Sequence, residues 1–170
     1  MFEAFLVTTS SEGLRALGQK EQRSYELIVD VVRERLTEAH ARLFGEPVPT
    51  KHGDQYDWYA PVAGKAVRLT DLADADRAAA ELSLNALVGD ILAEAARLKS
   101  GKNLDDLRLG EALENAVRVP SHEYIYVIET ADGPQPVLVN WAWISDEQRA
   151  VRGVLTGADP RFTVGGAAAP

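Results

Sequence analysis

The chain has 170 residues, 46% apolar and 26% charged, with no cysteine and a formal net charge of −8 from 26 acidic against 18 basic side chains. That length suits one domain and that composition excludes wholesale disorder; the acidic balance and scattered basic residues argue against nucleic acid or an anionic lipid surface as a partner. Lack of cysteine removes disulfide frameworks, cysteine–zinc sites and thiol chemistry, and with no basic leader and no apolar run near a membrane span the chain reads as cytoplasmic.

The opening "MFEAFLVTTS" alternates and favours β-branched and aromatic residues, so it predicts a first strand. "SEGLRALGQK" reads as a short helix broken near Gly18. From Ser24, a plausible N-cap, Tyr25, Ile28, Val32, Leu36, Ala39 and Leu43 recur every three or four residues, which predicts one amphipathic helix ended by Gly45 and Pro47.

Residues 46–70 carry too many prolines and glycines for a long helix. "DQYDWYAP" and "KAVRLT" read as two strands joined around "VAG" as a hairpin. The next segment, "DADRAAAELSLNALVGDILAEAARLKSG", predicts the longest helix, capped by Asp71 or Asp74. Leu84, Val88, Ile91, Ala95 and Leu98 repeat at heptad spacing along it, a seam suited to the sheet or to a second copy of the chain. A third helix starts near Asn103, carries Leu109, Leu113 and Ala116, and stops before Pro120.

"YIYVIETADGPQPVLVNWAWI" predicts an antiparallel hairpin of residues 124–129 with 137–144, its loop stiffened by Pro134 and Pro136. A short helix at "DEQRAVRGVL" follows. Residues 1–158 read as one domain and 159–170 as a flexible tail. The order β-α-ββ-α-α-ββ implies an α+β domain, an antiparallel sheet covered on one face by two or three helices. Dropping the last strand and merging the later helices gives the ferredoxin-like order.

Chemistry has few candidates. His52, Asp54 and Asp57 have the residue types of a divalent metal site, and a metal-dependent hydrolase would use them. On a strand, however, positions 52 and 54 face one side and 57 the other, so a turn at "HGD" followed by a half-buried strand with Trp58 in the core is the simpler reading. Asp71, Asp74 and Asp76 complement a helix start. Ser121-His122-Glu123 are neighbours that cannot converge as a triad. Nucleotide-binding and nucleophile motifs are absent.

The aromatic hairpin offers more. Trp141 and Trp143, with Tyr124 and Tyr126 alongside and Trp58 elsewhere, form either core or a surface for a partner or flat ligand. Asn140 would face opposite the tryptophans, near a sheet edge or a bound group. By elimination the chain reads as a non-enzymatic protein-interaction module of a larger bacterial-type assembly, with self-association through the 71–100 helix and no cofactor. A small-molecule sensor with an aromatic pocket is the other binding reading.

Overall fold

The structure, a computed structural model, describes residues 4–145. The helix expected over 146–155 and the tail over 159–170 lie outside the described residues. Helices and antiparallel strands mix in an α+β fold. In place of the single sheet with one helical face, the strands among the described residues make three small sheets, none of them the four-stranded sheet of a ferredoxin-like fold.

β1 (Ala4–Ser10) forms where the opening alternation predicts it. The following segment is not a helix. Its Leu14–Ala16 become β2, and Gly18 at φ +70° turns the chain into a 3-10 turn over Lys20–Arg23. α1 (Tyr25–Arg35) is capped by Ser24, whose Oγ accepts from the amide of Leu27.

The long helix expected from Tyr25 to Leu43 breaks at Leu36. There Thr37 caps a second short helix, α2 (Glu38–Ala41), by accepting from the His40 amide. A threonine able to hydrogen-bond the backbone locally competes with helix continuation, and here it wins. Beyond α2, Gly45 allows a close backbone approach. A Cβ there would lie 2.9 Å from the carbonyl oxygen of Leu138, the acceptor of the Gly45 amide.

β3 (Glu46–Pro49) went unexpected because of its two prolines. Among the described residues it pairs only with β4 (Gln55–Ala60), with Pro47 opposite Trp58 and Pro49 opposite Tyr56. Proline cannot donate, so the ladder is carried by the alternate residues, and the ring nitrogens lie on the outer edge. β4 also pairs with β1, giving the order β1-β4-β3. The expected hairpin between β4 and β5 (Ala66–Arg68) therefore does not form; both strands exist, but β5 pairs with β6 (Ile125–Thr130).

α3 (Asp74–Lys99) has Ala73 at its N-cap position, without a side-chain cap. Its seam, Leu84, Val88, Ile91, Ala95 and Leu98, is buried within the chain, chiefly against α4 (Leu104–Ala116) and β7 (Gly133–Leu138). The outward row Ala75, Ala79, Leu82, Ala86, Gly89 and Ala93 is exposed. Asn103 caps α4 through the amides of Asp105 and Asp106. Where α4 crosses α3, a Cβ on Gly110 would sit 2.7 Å from the backbone oxygen of Ala95 and 2.6 Å from Cγ of Lys99. Gly110→Ala should therefore cost about 1–3 kcal/mol by forcing the helices apart, read as a lowered thermal midpoint.

The final hairpin pairs β6 with β7 in the register Ile125↔Leu138 to Thr130↔Gly133. Its strand begins earlier and ends earlier than the expected 137–144. Pro134 and Pro136 lie inside β7 rather than in the loop, on alternate positions, as in β3. The two proline-bearing strands approach where Leu138 donates to the carbonyl of Leu43 and accepts from Gly45. Asn140 and Ala142, at φ +50° and +68°, then turn the chain out of the sheet. β8 (Trp143–Ser145) joins β2 instead, with Trp143 opposite Ala16.

Candidate functional site

These turns bring residues from four separate stretches around one cleft of about 660 Å³. β4 supplies Tyr56 and Trp58, β3 supplies Pro47, and the turn and strand after β7 supply Trp141 and Trp143. The 3-10 turn before α1 supplies Lys20, Glu21 and Arg23, and Ser24 completes the rim.

The floor is anchored. Trp58 and Trp141 are each 2% exposed; the Trp58 Nε1 donates to Oγ1 of Thr9 at 2.7 Å, and the Trp141 Nε1 donates to the carbonyl of Gly45 at 2.9 Å. Phe44 meets Trp141 edge-on, centroids 5.5 Å apart. With both indole N–H groups satisfied inside the protein, what these rings offer the cleft is carbon surface. Tyr56 and Trp143 are half-buried and form the walls, Tyr56 lying 6.3 Å from Trp58.

One wall is charged. The Arg23 guanidinium lies 5.6 Å from the Trp143 ring centroid, and its Nη1 donates to the carbonyls of Leu17 (3.1 Å) and Gly18 (2.8 Å). Burial lowers its pKa from the ordinary arginine value, opposed by Tyr56 and Glu21.

Behind this rim, burial and the nearby Glu46 push the Tyr25 hydroxyl up to about 12. The fold thus favours its neutral form. That contribution is complete below the usual tyrosine value of about 10 and is lost as pH rises through the window from there to about 12. Tyr25→Phe should flatten the alkaline loss of stability across that window, measured by denaturation at stepped pH.

The structure splits the expected aromatic patch. Trp58, Trp141 and Trp143 share the first cleft. Tyr124 and Tyr126 line a second, of about 400 Å³, with Val7–Ser10, Glu12, Arg68, Glu123 and Val139, and there Arg68 Nε donates to the Tyr126 hydroxyl at 3.2 Å. The tryptophans do not share a strand face, because the turn at 139–142 separates them: Trp141 belongs to the core and Trp143 to the cleft wall. Asn140 lies in that turn, fully buried, with neither side-chain amide atom hydrogen-bonded.

His52, Asp54 and Asp57 are not gathered. His52 and Asp54 are exposed in the turn before β4, and the Asp54 backbone carbonyl accepts from Ser11. Asp57 accepts from the Thr8 hydroxyl at 2.6 Å. Among the described residues no group of three or more His, Cys, Asp or Glu could hold a metal ion.

A constellation that the sequence did not suggest joins Thr37, His40 and Asp90. The His40 Nδ1 is 2.6 Å from Thr37 Oγ1 and its Nε2 is 2.7 Å from Asp90 Oδ2. These are the types of a hydrolase triad, but none of the three residues lines either aromatic cleft, and the linkage serves to tie α2 to α3. Sequence reasoning also missed Lys20, Arg23 and Pro47 as parts of the cleft; nothing in their local pattern points to tryptophans that lie far along the chain.

Comparison of the chain with protein-family models, with curated proteins and with solved structures finds no match. No helix among the described residues is long and apolar enough to cross a membrane.

Proposed function

We propose that the chain is a non-enzymatic, cytoplasmic binding domain that holds a small molecule in the aromatic cleft, in the manner of a sensor. The observation that supports this is the convergence of Tyr56, Trp58, Trp141 and Trp143 on a single cleft of about 660 Å³. That volume falls within the roughly 300–1,000 Å³ of small-molecule sites, and an apolar wall with a few polar groups at one side is how such sites are built. Hydrolysis at His52, Asp54 and Asp57 has no comparable support, since the fold spreads them over a turn and a strand.

The test is native mass spectrometry of the protein after exposure to a metabolite extract of its host. A small molecule retained by the wild type and lost from Trp143→Ala supports the reading. Retention by both forms, or by neither, overturns it.

The second reading is a protein-interaction module of a larger bacterial-type assembly, including self-association through α3. It is favoured by Leu82, 74% exposed at the centre of the outward row of that helix. Sedimentation of wild type and Leu82→Glu separates the two. Dissociation of an oligomer by the substitution favours the module, and a monomer in both cases removes self-association.

A further inference from the structure

We propose that the cleft takes a planar aromatic anion, its ring against Trp143 and Tyr56 and its negative group toward Lys20 and Arg23. The proposal rests on the small-molecule reading and names the ligand class.

Shape argues for the ring. The indole nitrogens of Trp58 and Trp141 are committed to Thr9 and Gly45, so neither indole can donate a hydrogen bond to a ligand. Flat carbon faces favour flat carbon ligands, which gain from offset stacking beyond simple burial.

Charge argues for the anion. Three ionised side chains line the cleft: Lys20, Arg23 and Glu21. Two of the three are cationic, and they stand out in a chain of net charge −8. Among the described residues neither Lys20 nor Arg23 lies within ion-pair distance of a carboxylate, whereas Arg33, Arg35, Arg77 and Arg97 all do. Arg23 is also partly buried. A partly desolvated guanidinium without a carboxylate partner gains from an arriving anion more than an exposed one does.

Its place is fixed as well. The carbonyls of Leu17 and Gly18 hold Nη1, so the guanidinium is already ordered beside the Trp143 ring before a ligand arrives, and less freedom is lost on binding. Ser24 puts the positive end of α1 on the same rim, which adds to the cationic side.

Calorimetric titration of the full chain with four probes tests this. Naphthalene-2-sulfonate carries ring and anion, 2-naphthyltrimethylammonium the ring with a cation, 2-naphthol the neutral ring, and methanesulfonate the anion alone. The sulfonate should bind one-to-one, about tenfold or more tighter than the cationic ring, and methanesulfonate should show no binding. Lys20→Gln, at an exposed position, should weaken the sulfonate several-fold and leave 2-naphthol unchanged. Trp143→Leu should weaken every ring, with its melting temperature as the check on folding.

Equal or tighter binding of the cationic ring, with the Trp143→Leu loss intact, overturns the anion assignment and leaves the cleft reading standing. Binding of no ring, or ring binding indifferent to Trp143→Leu, overturns both. Preference for a decaproline peptide over all four probes overturns the proposal in favour of a peptide groove.

Discussion

Phe44→Ala should lower stability by about 3–5 kcal/mol. Phe44 is completely buried, stands edge-on to Trp141, and forms a parallel bridge with Leu138 at the junction of two sheets. The backbone on either side of it, the Leu43 carbonyl and Gly45 amide, is bonded to Leu138 and cannot easily collapse into the space a phenyl ring leaves. An unrelaxed cavity raises the cost above simple transfer of the ring. Urea denaturation should show a lower midpoint with the slope unchanged. A cost below about 1 kcal/mol would mean that the junction repacks freely, contrary to the fixed hydrogen bonds.

Ile91→Ala should cost about 2–5 kcal/mol, and the contrast with Leu82→Ala makes the result informative. Both residues lie on α3. Ile91 is fully buried and Leu82 is 74% exposed, so the second substitution should fall within about 0.5 kcal/mol of neutral. Because the seam is buried inside a single chain, the Ile91 penalty should be independent of protein concentration. A penalty that grows on dilution would instead show that the seam is shared between copies.

α3 shows how far the sequence could be read. It has two rows at heptad spacing, one of Leu84, Val88, Ile91, Ala95 and Leu98, the other of Ala75, Ala79, Leu82, Ala86, Gly89 and Ala93. Periodicity alone does not choose between them, but side-chain size does, because the bulkier row buries more area per residue. The helix starts at Ser24 and Asn103 were legible for a local reason, since a capping side chain acts within three residues.

The strand pairings were not legible. β4 alternates well enough to announce a strand, yet nothing in it says that its partners are β1 and β3 rather than β5, which lies as near along the chain as β3 does. Prolines at 47, 49, 134 and 136 counted against strands, although alternate spacing is compatible with a strand paired on one side. The turn at Asn140 and Ala142 is likewise invisible in an apolar, aromatic run. Asparagine tolerates positive φ, but alanine there gives no warning. The cleft inherits these difficulties: its tryptophans were visible as residues, and the cations that face them were not.

The alternate prolines of β3 and β7 have one more effect. At 47 and 49, and again at 134 and 136, the outward backbone position that would present an N–H to a newcomer holds a ring nitrogen without a hydrogen. A foreign strand laid along β3 would meet acceptors only and could not zip into a ladder, and along β7 the carbonyls of Pro134 and Pro136 already accept from Ser83 and Gln135 within the chain. These two edges are therefore closed to fibril-type stacking and to recruitment of partners by strand addition. β1 and β5, the opposite edges of the same two sheets, carry no proline, so the protection belongs to the β3 and β7 edges alone, where four residues that look like mistakes in a strand supply it.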